Sequence, residues 1–379
     1  MIRPLTAIAA AVVASTALCW SVALPAAELP AASKKMLADL KFDPKFLDGM
    51  DEEYDVPAEW REAAKKEGPL RISGTWEPEQ VDKILAPFKE RYPEVKFDFD
   101  FGNRETRSVR PLVAFKQGRY IADIVDGVES QYFEYLKADA LMPLGDIPNL
   151  KKVPAEMRDP QGFAIPHILL YWCASYNKNK VKEAELPKTW DGFLDKAVWG
   201  NKRIGIGNRP NLWLLALWSQ RGDEWGSDYV RRLFQDVRPQ LRKEGMDAMI
   251  SLVSLGEFDV AIPSAGYRTN QTDEKGAPVG WHCPEPVPTT VQNMIALKNN
   301  PRPASTRIYS NWILSKEGQT AQYYATYSAS VRDDLQTREF LAYPEQIVGR
   351  PRALRELKLM ETTWPTVAKT WNKEWQAVR

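Results

Sequence analysis

Histidine and cysteine are scarce in this sequence. Only two histidines and three cysteines occur among its 379 residues. These side chains supply many catalytic nucleophiles, general bases and transition-metal ligands. The sequence also has no nucleophile and base at a motif spacing, no glycine-rich phosphate loop and no zinc-binding pattern. Residue content therefore gives no support for an enzyme or a structural zinc site.

An excess of charge of either sign is also absent. The full chain has a formal net charge of +1, and without Arg3 it has 50 basic and 50 acidic side chains. Binding to nucleic acids or anionic membranes normally depends on a basic surface. We therefore expect no nucleic-acid partner, and any recognition of ions must depend on local groups.

Long hydrophobic runs are missing after the first 27 residues. Residues 1–27 contain Met1-Ile-Arg-Pro4, an acid-free apolar run from Leu5 to Leu24, and a small-residue end, Pro25-Ala-Ala27. This order predicts a secretory signal peptide. An uncleaved anchor and a lipoprotein modified at Cys19 are less favoured alternatives. We expect a soluble protein exported to the periplasm, in which residues 28–54 form an irregular leader because they show little periodicity.

Two cysteines, Cys173 and Cys283, remain once the signal peptide is removed. A disulfide can persist in an exported protein. The two residues are 110 positions apart, so a bridge requires their segments to be spatial neighbours, with Cα atoms within about 7 Å. A disulfide and two buried free thiols are both compatible with the sequence.

A strand, a helix and a second strand are predicted from Leu70 to Phe101. The apolar run from Leu70 breaks at Ser73-Gly74-Thr75, and apolar residues then recur with helical spacing between Glu79 and Arg91. Phe97, Phe99 and Phe101 alternate as in a strand. In a βαβ unit, ligands collect where the first strand ends and the helix begins.

Six short segments between residues 60 and 330 carry a resemblance to a known family. They are Ala63-Ala-Lys-Lys-Glu-Gly68, Phe88-Lys-Glu-Arg-Tyr-Pro93, Ala122-Asp-Ile-Val125, Ala138-Asp-Ala-Leu-Met-Pro143, Leu255-Gly-Glu-Phe-Asp-Val-Ala261 and Trp312-Ile-Leu-Ser-Lys-Glu-Gly-Gln319. In this order and behind a signal peptide, they resemble the extracellular solute-binding proteins of ABC importers. The resemblance is to the group that binds ferric iron, thiamine or polyamines.

The resemblance implies an α/β, two-lobed periplasmic-binding-protein fold of type II. Each lobe would contain a mixed sheet flanked by helices, with two crossing strands as the hinge and a ligand cleft between the lobes. We assign residues 55–167 and about 292–379 to lobe 1, and residues 168–291 to lobe 2. The long runs Phe163–Tyr176 and Trp281–Leu297 are the expected crossings. The implied partners are a small ligand and an ABC-transporter permease, and we expect a monomer.

Polar and aromatic residues at predicted strand ends are the candidates for ligand binding. They are Ser73, Thr75, Trp76, Asp126, Ser130, Asn208, Arg209, Asn211, Ser264, Tyr267, Arg268, Thr289 and Thr290. Arg209 and Arg268 favour a carboxylate or phosphate, because guanidinium groups bind these anions with paired hydrogen bonds. We therefore expect an organic anion or a phosphorylated compound, and no cofactor.

Other cargoes and an enzyme remain as alternatives. In iron-binding relatives two adjacent tyrosines follow the Gly-Glu-x-Asp strand, whereas here only Tyr267 does, with Tyr171 and Tyr176 distant along the chain. A polyamine would need an acidic cluster, of which Asp126 and Glu129 are a small version. A metal site that uses His167 and His282 is a further alternative. So is a secreted enzyme of the same fold that uses Cys173 or Cys283, although structural roles for these side chains are favoured.

Overall fold

A computed structural model describes residues 28–128 and 131–378 of the chain. The predicted signal peptide, residues 1–27, lies outside the described residues, as do Ser130 and Glu129 of the acidic pair considered for a polyamine. Within the described ranges, no helix has both the length and the apolar character needed to cross a membrane.

The chain is a mixed α/β protein. Its strands are β1 (Leu70–Gly74), β2 (Phe97–Phe101), β3 (Ile124–Asp126), β4 (Ala164–Asn177), β5 (Ile204–Gly207), β6 (Gln240–Arg242), β7 (Val260–Ala265), β8 (Val279–His282), β9 (Val287–Ala296) and β10 (Arg352–Arg355). Its helices are α1 (Ala31–Leu40), α2 (Asp51–Tyr54), α3 (Ala58–Ala64), α4 (Pro78–Arg91), α5 (Arg110–Lys116), α6 (Tyr132–Lys137), α7 (Lys196–Trp199), α8 (Leu214–Arg221), α9 (Asp223–Arg232), α10 (Met246–Leu255), α11 (Gly266–Glu274), α12 (Pro303–Ile313), α13 (Lys316–Thr326), α14 (Leu359–Thr362) and α15 (Trp364–Ala377).

The strands pair in the order β2-β1-β3-β9-β4-β7-β5-β6, with β10 beside β9 and β8 beside β4. We call the part with β1, β2 and β3 lobe 1, and the part with β5, β6, β7 and β8 lobe 2. Strand β4 pairs with β9 from Ala164 to Tyr171 and with β7 and β8 from Trp172 onward. It therefore leaves the lobe 1 sheet and enters the lobe 2 sheet without a break.

The predicted first βαβ unit is present. Strands β1 and β2 are parallel neighbours, and α4 connects them. The apolar stripe of α4 is buried, including Ile84 and Phe88, which are both fully covered. At the start of α4, the Glu77 amide donates to Gln80 Oε1 at 3.0 Å, which satisfies an amide that the helix cannot pair internally.

Strands β4 and β9 are the two long crossing segments. Every residue of both strands is buried. This explains why their sequences are apolar runs with little alternation, as expected for strands covered on both faces.

The two cysteines form a disulfide. Cys173 in β4 and Cys283 just after β8 have Cα atoms 4.9 Å apart, and neither side chain is exposed. The bond joins the lobe 2 half of β4 to the segment that leads into β9. Of the two states compatible with the sequence, the structure shows the bridged one.

Residues 28–54 differ from the irregular leader that the sequence predicts. They form helices α1 and α2, and Met36, Leu37 and Leu47 are buried. The segment packs on α4 and α13, which lie far away in the sequence. Local periodicity is weak because these long-range contacts, and not a continuous apolar face, hold the segment in place.

Two buried carboxylates attach this segment to the rest of the protein, Glu317 through Ser33 of the segment and Glu53 from the segment itself. Glu317 accepts hydrogen bonds from Arg91 Nε and Nη2, both at 2.8 Å, and from the Ser33 hydroxyl at 2.6 Å. Glu53 accepts from Arg332 Nη1 at 2.7 Å and Nη2 at 2.9 Å. Each carboxylate therefore has the partners that a buried charge requires.

The end of the chain also differs from expectation, since the sequence analysis placed all of residues 292–379 with lobe 1. Helix α15 instead packs against α8 and α9 of lobe 2. Trp371 donates from Nε1 to Asn208 Oδ1 at 2.8 Å and meets the rings of Trp213 and Phe234. These aromatic contacts join segments that are distant in sequence, so no local sequence pattern predicts them.

The Glu317 pair predicts a large effect from a small substitution. Glu317→Gln leaves the Arg91 charge buried without its counterion, and should lower the free energy of unfolding by about 3–5 kcal/mol. Urea unfolding monitored by circular dichroism measures this loss. Lys35→Ala is the control, because the exposed Lys35–Asp39 pair should contribute less than about 1 kcal/mol. Equal losses in the two variants would show that the buried Arg91–Glu317 pair contributes no more to stability than an exposed pair.

The disulfide should also stabilise the fold. Replacing both Cys173 and Cys283 by Ala should cost about 2–4 kcal/mol, because the bridge restricts a long loop in the unfolded chain. Comparing denaturant midpoints of the double variant and the oxidised wild-type protein measures the cost. An unchanged midpoint would contradict this expectation.

Candidate functional site

A cleft of about 650 Å³ lies between the two lobes. Strand ends and helix starts from both lobes surround it, as the position of a ligand site in an open α/β sheet leads one to expect. Its lining residues are Thr75, Trp76, Gln80, Phe101, Gly102, Asn103, Arg104, Glu105, Arg107, Ile168, Leu170, Trp172, Arg209, Gly245, Met246, Asp247, Tyr267, Arg268, Gln292, Thr326 and Ser328.

The lobe 1 wall begins where β1 and β2 end. Thr75 and Trp76 follow β1, and the helical segment that leads into α5 starts after β2. Asn103 caps this segment, because its Oδ1 accepts from the Thr106 amide at 3.1 Å. Arg104 and Glu105 follow the cap and are exposed to the cleft.

The lobe 2 wall consists of a strand end and two helix starts. Arg209 is exposed just after β5. Asp247 lies in the first turn of α10, and Tyr267 and Arg268 lie in the first turn of α11. Both helices have at least nine residues and direct the positive ends of their dipoles toward the cleft.

The crossing strands form the floor. Ile168, Leu170 and Trp172 alternate along β4 and face the cleft together, and Gln292 faces it from β9. Trp172 donates from Nε1 to Thr290 Oγ1 at 2.7 Å. This bond fixes the orientation of the indole ring, which lines the cleft.

A buried carboxylate lies beneath the floor. Asp126, at the end of β3, accepts from the Thr75 hydroxyl at 2.9 Å, pairs with His167 Nε2 at 2.8 Å, and accepts from Gln292 Nε2 at 2.9 Å. Burial raises the pKa of such a carboxyl group, but His167, the Gln292 amide and the nearby Arg107 outweigh burial and bring the pKa of Asp126 to about 2. Asp126 is therefore ionised and has no free position for a ligand.

Two further arginines lie in the cleft with partners already in place. Arg107 donates to the carbonyls of Gly102 and Gly127, at 3.2 and 3.1 Å, so it links two strand ends of lobe 1. Arg268 donates to Gln271 Oε1 at 3.1 Å and lies 3.6 Å from carboxylate oxygens of both Asp247 and Glu77. Because Glu77 belongs to lobe 1, Arg268 connects the two lobes at the cleft mouth.

Five of the predicted site residues line the cleft. They are Thr75, Trp76, Arg209, Tyr267 and Arg268. Asp126 and Thr290 lie one layer behind and hold Thr75, Gln292 and Trp172 in position.

The other predicted residues have structural contacts instead. Ser73, Ser264 and Thr289 are buried, and the hydroxyls of Ser264 and Thr289 bond to Thr269 and to the Val287 carbonyl. Asn208 Oδ1 accepts a hydrogen bond from Trp371 Nε1, and the backbone carbonyl of Asn211 accepts one from Arg355 Nη1. Ser73, Ser264 and Thr289 lie within strands and their side chains are buried, whereas Asn208 and Asn211 follow β5 but do not line the cleft. Reasoning from strand ends does not reveal either difference.

Sequence reasoning missed the loop after β2 and the floor of the cleft. Gly102-Asn-Arg-Glu105 follows a predicted strand, so the rule that selected Thr75 and Arg209 also selects this loop. Trp172 was missed because a fully apolar strand does not show which side chains border a cleft.

Metal ligands do not gather in the described part of the chain. Among residues 28–128 and 131–378, no group of three or more His, Cys, Asp or Glu side chains could hold a metal ion. His167 bonds to Asp126 and Gln322, whereas His282 bonds to the Pro187 carbonyl. Tyr171 and Tyr176 are buried in β4, and neither lines the cleft.

Two lobes, two crossing strands and a cleft between them define a periplasmic-binding-protein fold. The chain belongs to the family of bacterial extracellular solute-binding proteins, which it matches over residues 68–320. The family serves ABC importers. No curated protein sequence matches the chain.

Several solved structures share the fold. Iron-bound HitA from Pseudomonas aeruginosa has a TM-score of 0.63 and 19% identity, and the match covers 81% of this chain and 98% of HitA. Trichodesmium FutA, in complex with iron and citrate, has a TM-score of 0.66 and 17% identity, with 81% and 99% covered. The ferric binding protein from Campylobacter jejuni has a TM-score of 0.64 and 15% identity, with 80% and 99% covered. At these identities the likeness establishes the fold alone.

The depressed pKa of Asp126 predicts a pH-dependent contribution to stability. The folded value of about 2 lies below the usual 3.8, so ionised Asp126 should add about 2 kcal/mol at neutral pH. This contribution is complete above about pH 4.5 and is lost as the pH falls toward 2. Asp126→Asn should therefore be less stable than wild type by about 2 kcal/mol at pH 7, and by less at pH 3.

Urea unfolding at the two pH values measures the gap. Asp98→Asn provides the control, because Asp98 lies on the surface, 3.9 Å from Arg71, and should show little loss at either pH. A gap for Asp126→Asn that stays constant from pH 7 to pH 3 would contradict the electrostatic explanation.

Proposed function

We propose that this protein is the periplasmic substrate-binding component of an ABC importer that captures a small organic anion. The observation that carries the proposal is the charge of the cleft, where four arginines face two carboxylates. Residues 1–27 direct export and are removed, and the mature protein works as a monomer that delivers its ligand to a membrane permease.

Several features of the cleft support an organic anion. Guanidinium groups bind carboxylates and phosphates with paired hydrogen bonds. The starts of α10 and α11 add backbone amides and favourable dipoles. Trp172, Tyr267 and the half-exposed Phe101 offer aromatic surface for the body of the ligand.

Ferric iron, carried as a carboxylate complex, is the second candidate. Solved neighbours of the same fold bind iron, and one of them holds iron and citrate. Tyr267 supplies one phenol to the cleft of this chain, and its arginines suit the carboxylates of such a complex. A bare ferric ion has less support, because Tyr171 is buried outside the cleft and burial raises the pKa of its hydroxyl.

A polyamine and an enzyme have less support. The Asp126 carboxylate is fully occupied by protein donors and lies behind the cleft, so it cannot receive an ammonium group. Cys173 and Cys283 are bonded to each other and buried, which leaves neither sulfur free as a nucleophile.

Thermal unfolding with a ligand panel tests the proposal. Refolded protein, free of carried-over ligand, is heated with carboxylic acids, sugar phosphates, inorganic phosphate, ferric citrate, citrate alone, thiamine and spermidine. A compound present at 100 times its dissociation constant should add about 2.7 kcal/mol. We expect stabilisation by one or more organic anions. Stabilisation by ferric citrate but not by citrate would favour iron, and stabilisation by spermidine alone would refute the proposal.

A variant of the cleft gives the matching test by site. Arg209→Gln should weaken binding of the stabilising anion about 10- to 100-fold, because a charged hydrogen bond contributes about 1.5–3 kcal/mol. Isothermal titration calorimetry measures the affinity. Arg231→Gln is the control, since Arg231 is an exposed lobe 2 arginine paired with Asp228 outside the cleft. Equal affinities of the two variants would exclude Arg209 from the site.

A further inference from the structure

We infer that the ligand of the cleft carries two negative charges, one bound by Arg104 of lobe 1 and the other by Arg209 of lobe 2. The inference rests on the proposed function and specifies the class of its ligand. A dicarboxylate and a phosphate monoester both satisfy it, because each offers two negative charges to opposite walls.

The side chain of Arg104 does not stabilise the fold through any contact in the described part of the chain. Its side chain is exposed, lines the cleft and makes no hydrogen bond or ion pair with any described residue. It also lies at the start of a helical segment, directly after the Asn103 cap. A cation at this end of a helix is opposed by the helix dipole. Helix stability therefore does not explain an arginine at this position.

Arg209 is the corresponding residue of lobe 2. It lines the cleft and is exposed, and its guanidinium group likewise has no hydrogen-bond or ion-pair partner within residues 28–128 and 131–378. Its backbone is held in place, since its amide donates to the Gly207 carbonyl at 2.7 Å and its carbonyl accepts from the Leu212 amide at 3.1 Å. The structure thus fixes where this side chain starts and leaves its charged end available.

The other two arginines of the cleft differ from this pair. Arg107 is bound to two backbone carbonyls, and Arg268 already has Asp247 and Glu77 beside it. Each lobe therefore has one arginine held by the protein and one without a protein partner. The lining as a whole has two more positive than negative side chains, which matches a ligand with two negative charges.

The two arginines without partners affect the energy of lobe closure. As the lobes approach, Arg104 and Arg209 lose water and come nearer to each other, so two positive charges without counterions oppose closure. A ligand with one negative charge leaves one of them uncompensated. A ligand with two negative charges compensates both and favours the closed state, which would couple recognition to delivery.

Matched pairs of anions test the charge requirement. Succinate is compared with monomethyl succinate, and phenyl phosphate with methyl phenyl phosphate, by isothermal titration calorimetry at pH 8. Within each pair the compounds differ by one negative charge and have similar shapes. We expect the dianion of at least one pair to bind about 10- to 100-fold more tightly than its monoanionic ester. A preference in the first pair alone identifies dicarboxylates, and one in the second alone identifies phosphate monoesters.

Two variants then assign the charges to residues. In Arg104→Gln and in Arg209→Gln, the second negative charge loses its partner, so the preference for the dianion should fall to about threefold or less. Arg110→Gln is the control, because Arg110 is exposed at the start of α5, outside the cleft lining, and it should keep the full preference. A variant that merely disturbs the fold would weaken both members of a pair equally, so the preference separates binding from structure.

The outcomes distinguish this inference from the proposed function. If monoanions bind as tightly as dianions, the protein binds organic anions but the requirement for two charges is wrong. If both dianions fail to bind and the anions of the thermal panel that do bind carry a single negative charge, the inference is again overturned and the proposed function stands. A sugar phosphate or dicarboxylate that binds in the panel is compared with its own monoanionic ester, and equal affinities overturn the inference. If no anion binds at all, both are refuted.

Discussion

The buried carboxylate of Asp126 holds the floor of the cleft together. It bonds to Thr75 after β1, to His167 on β4 and to Gln292 on β9. One side chain therefore connects the first strand end of lobe 1 with both crossing strands. Because a buried charge is costly unless it is fully paired, the three partners must keep their positions relative to β3. Asp126 therefore fixes the start of the lobe 1 wall to the floor of the cleft.

The electrostatics of the cleft are local, in a chain that is nearly neutral overall. Arginines and helix starts converge on one region, whereas the balancing acids are spread over the rest of the surface. Such an arrangement can bind an anion strongly without a general attraction for polyanions, because exposed charges are screened over about 8–10 Å in salt. The two carboxylates in the lining lower the positive potential but do not cancel it.

Local patterns revealed much of this fold. The periodicity of residues 79–91 predicted α4, and the apolar runs around Leu170 and Val291 predicted the crossing strands. The sequence could not show that α1 and α2 dock on lobe 1 or that α15 docks on lobe 2. These contacts depend on buried pairs such as Glu53–Arg332 and aromatic contacts such as Trp371–Trp213, whose members are far apart in the chain. Prediction of the site was limited in the same way. Strand ends correctly identified Arg209 and Arg268 as cleft residues, but they did not show that the side chain of Ser264 is buried away from the cleft.

The residues that hold the scaffold are separate from those that face the cleft opening. Glu317, Glu53 and the Cys173–Cys283 bridge stabilise the lobes without reaching the lining. Arg104 and Arg209 reach the lining without supporting the lobes. Substitutions at the second group therefore have little cost in stability, since surface positions without partners tolerate change. Because substitutions in this group can change recognition without changing the fold, the cargo must be inferred from the cleft residues of this chain rather than from the fold.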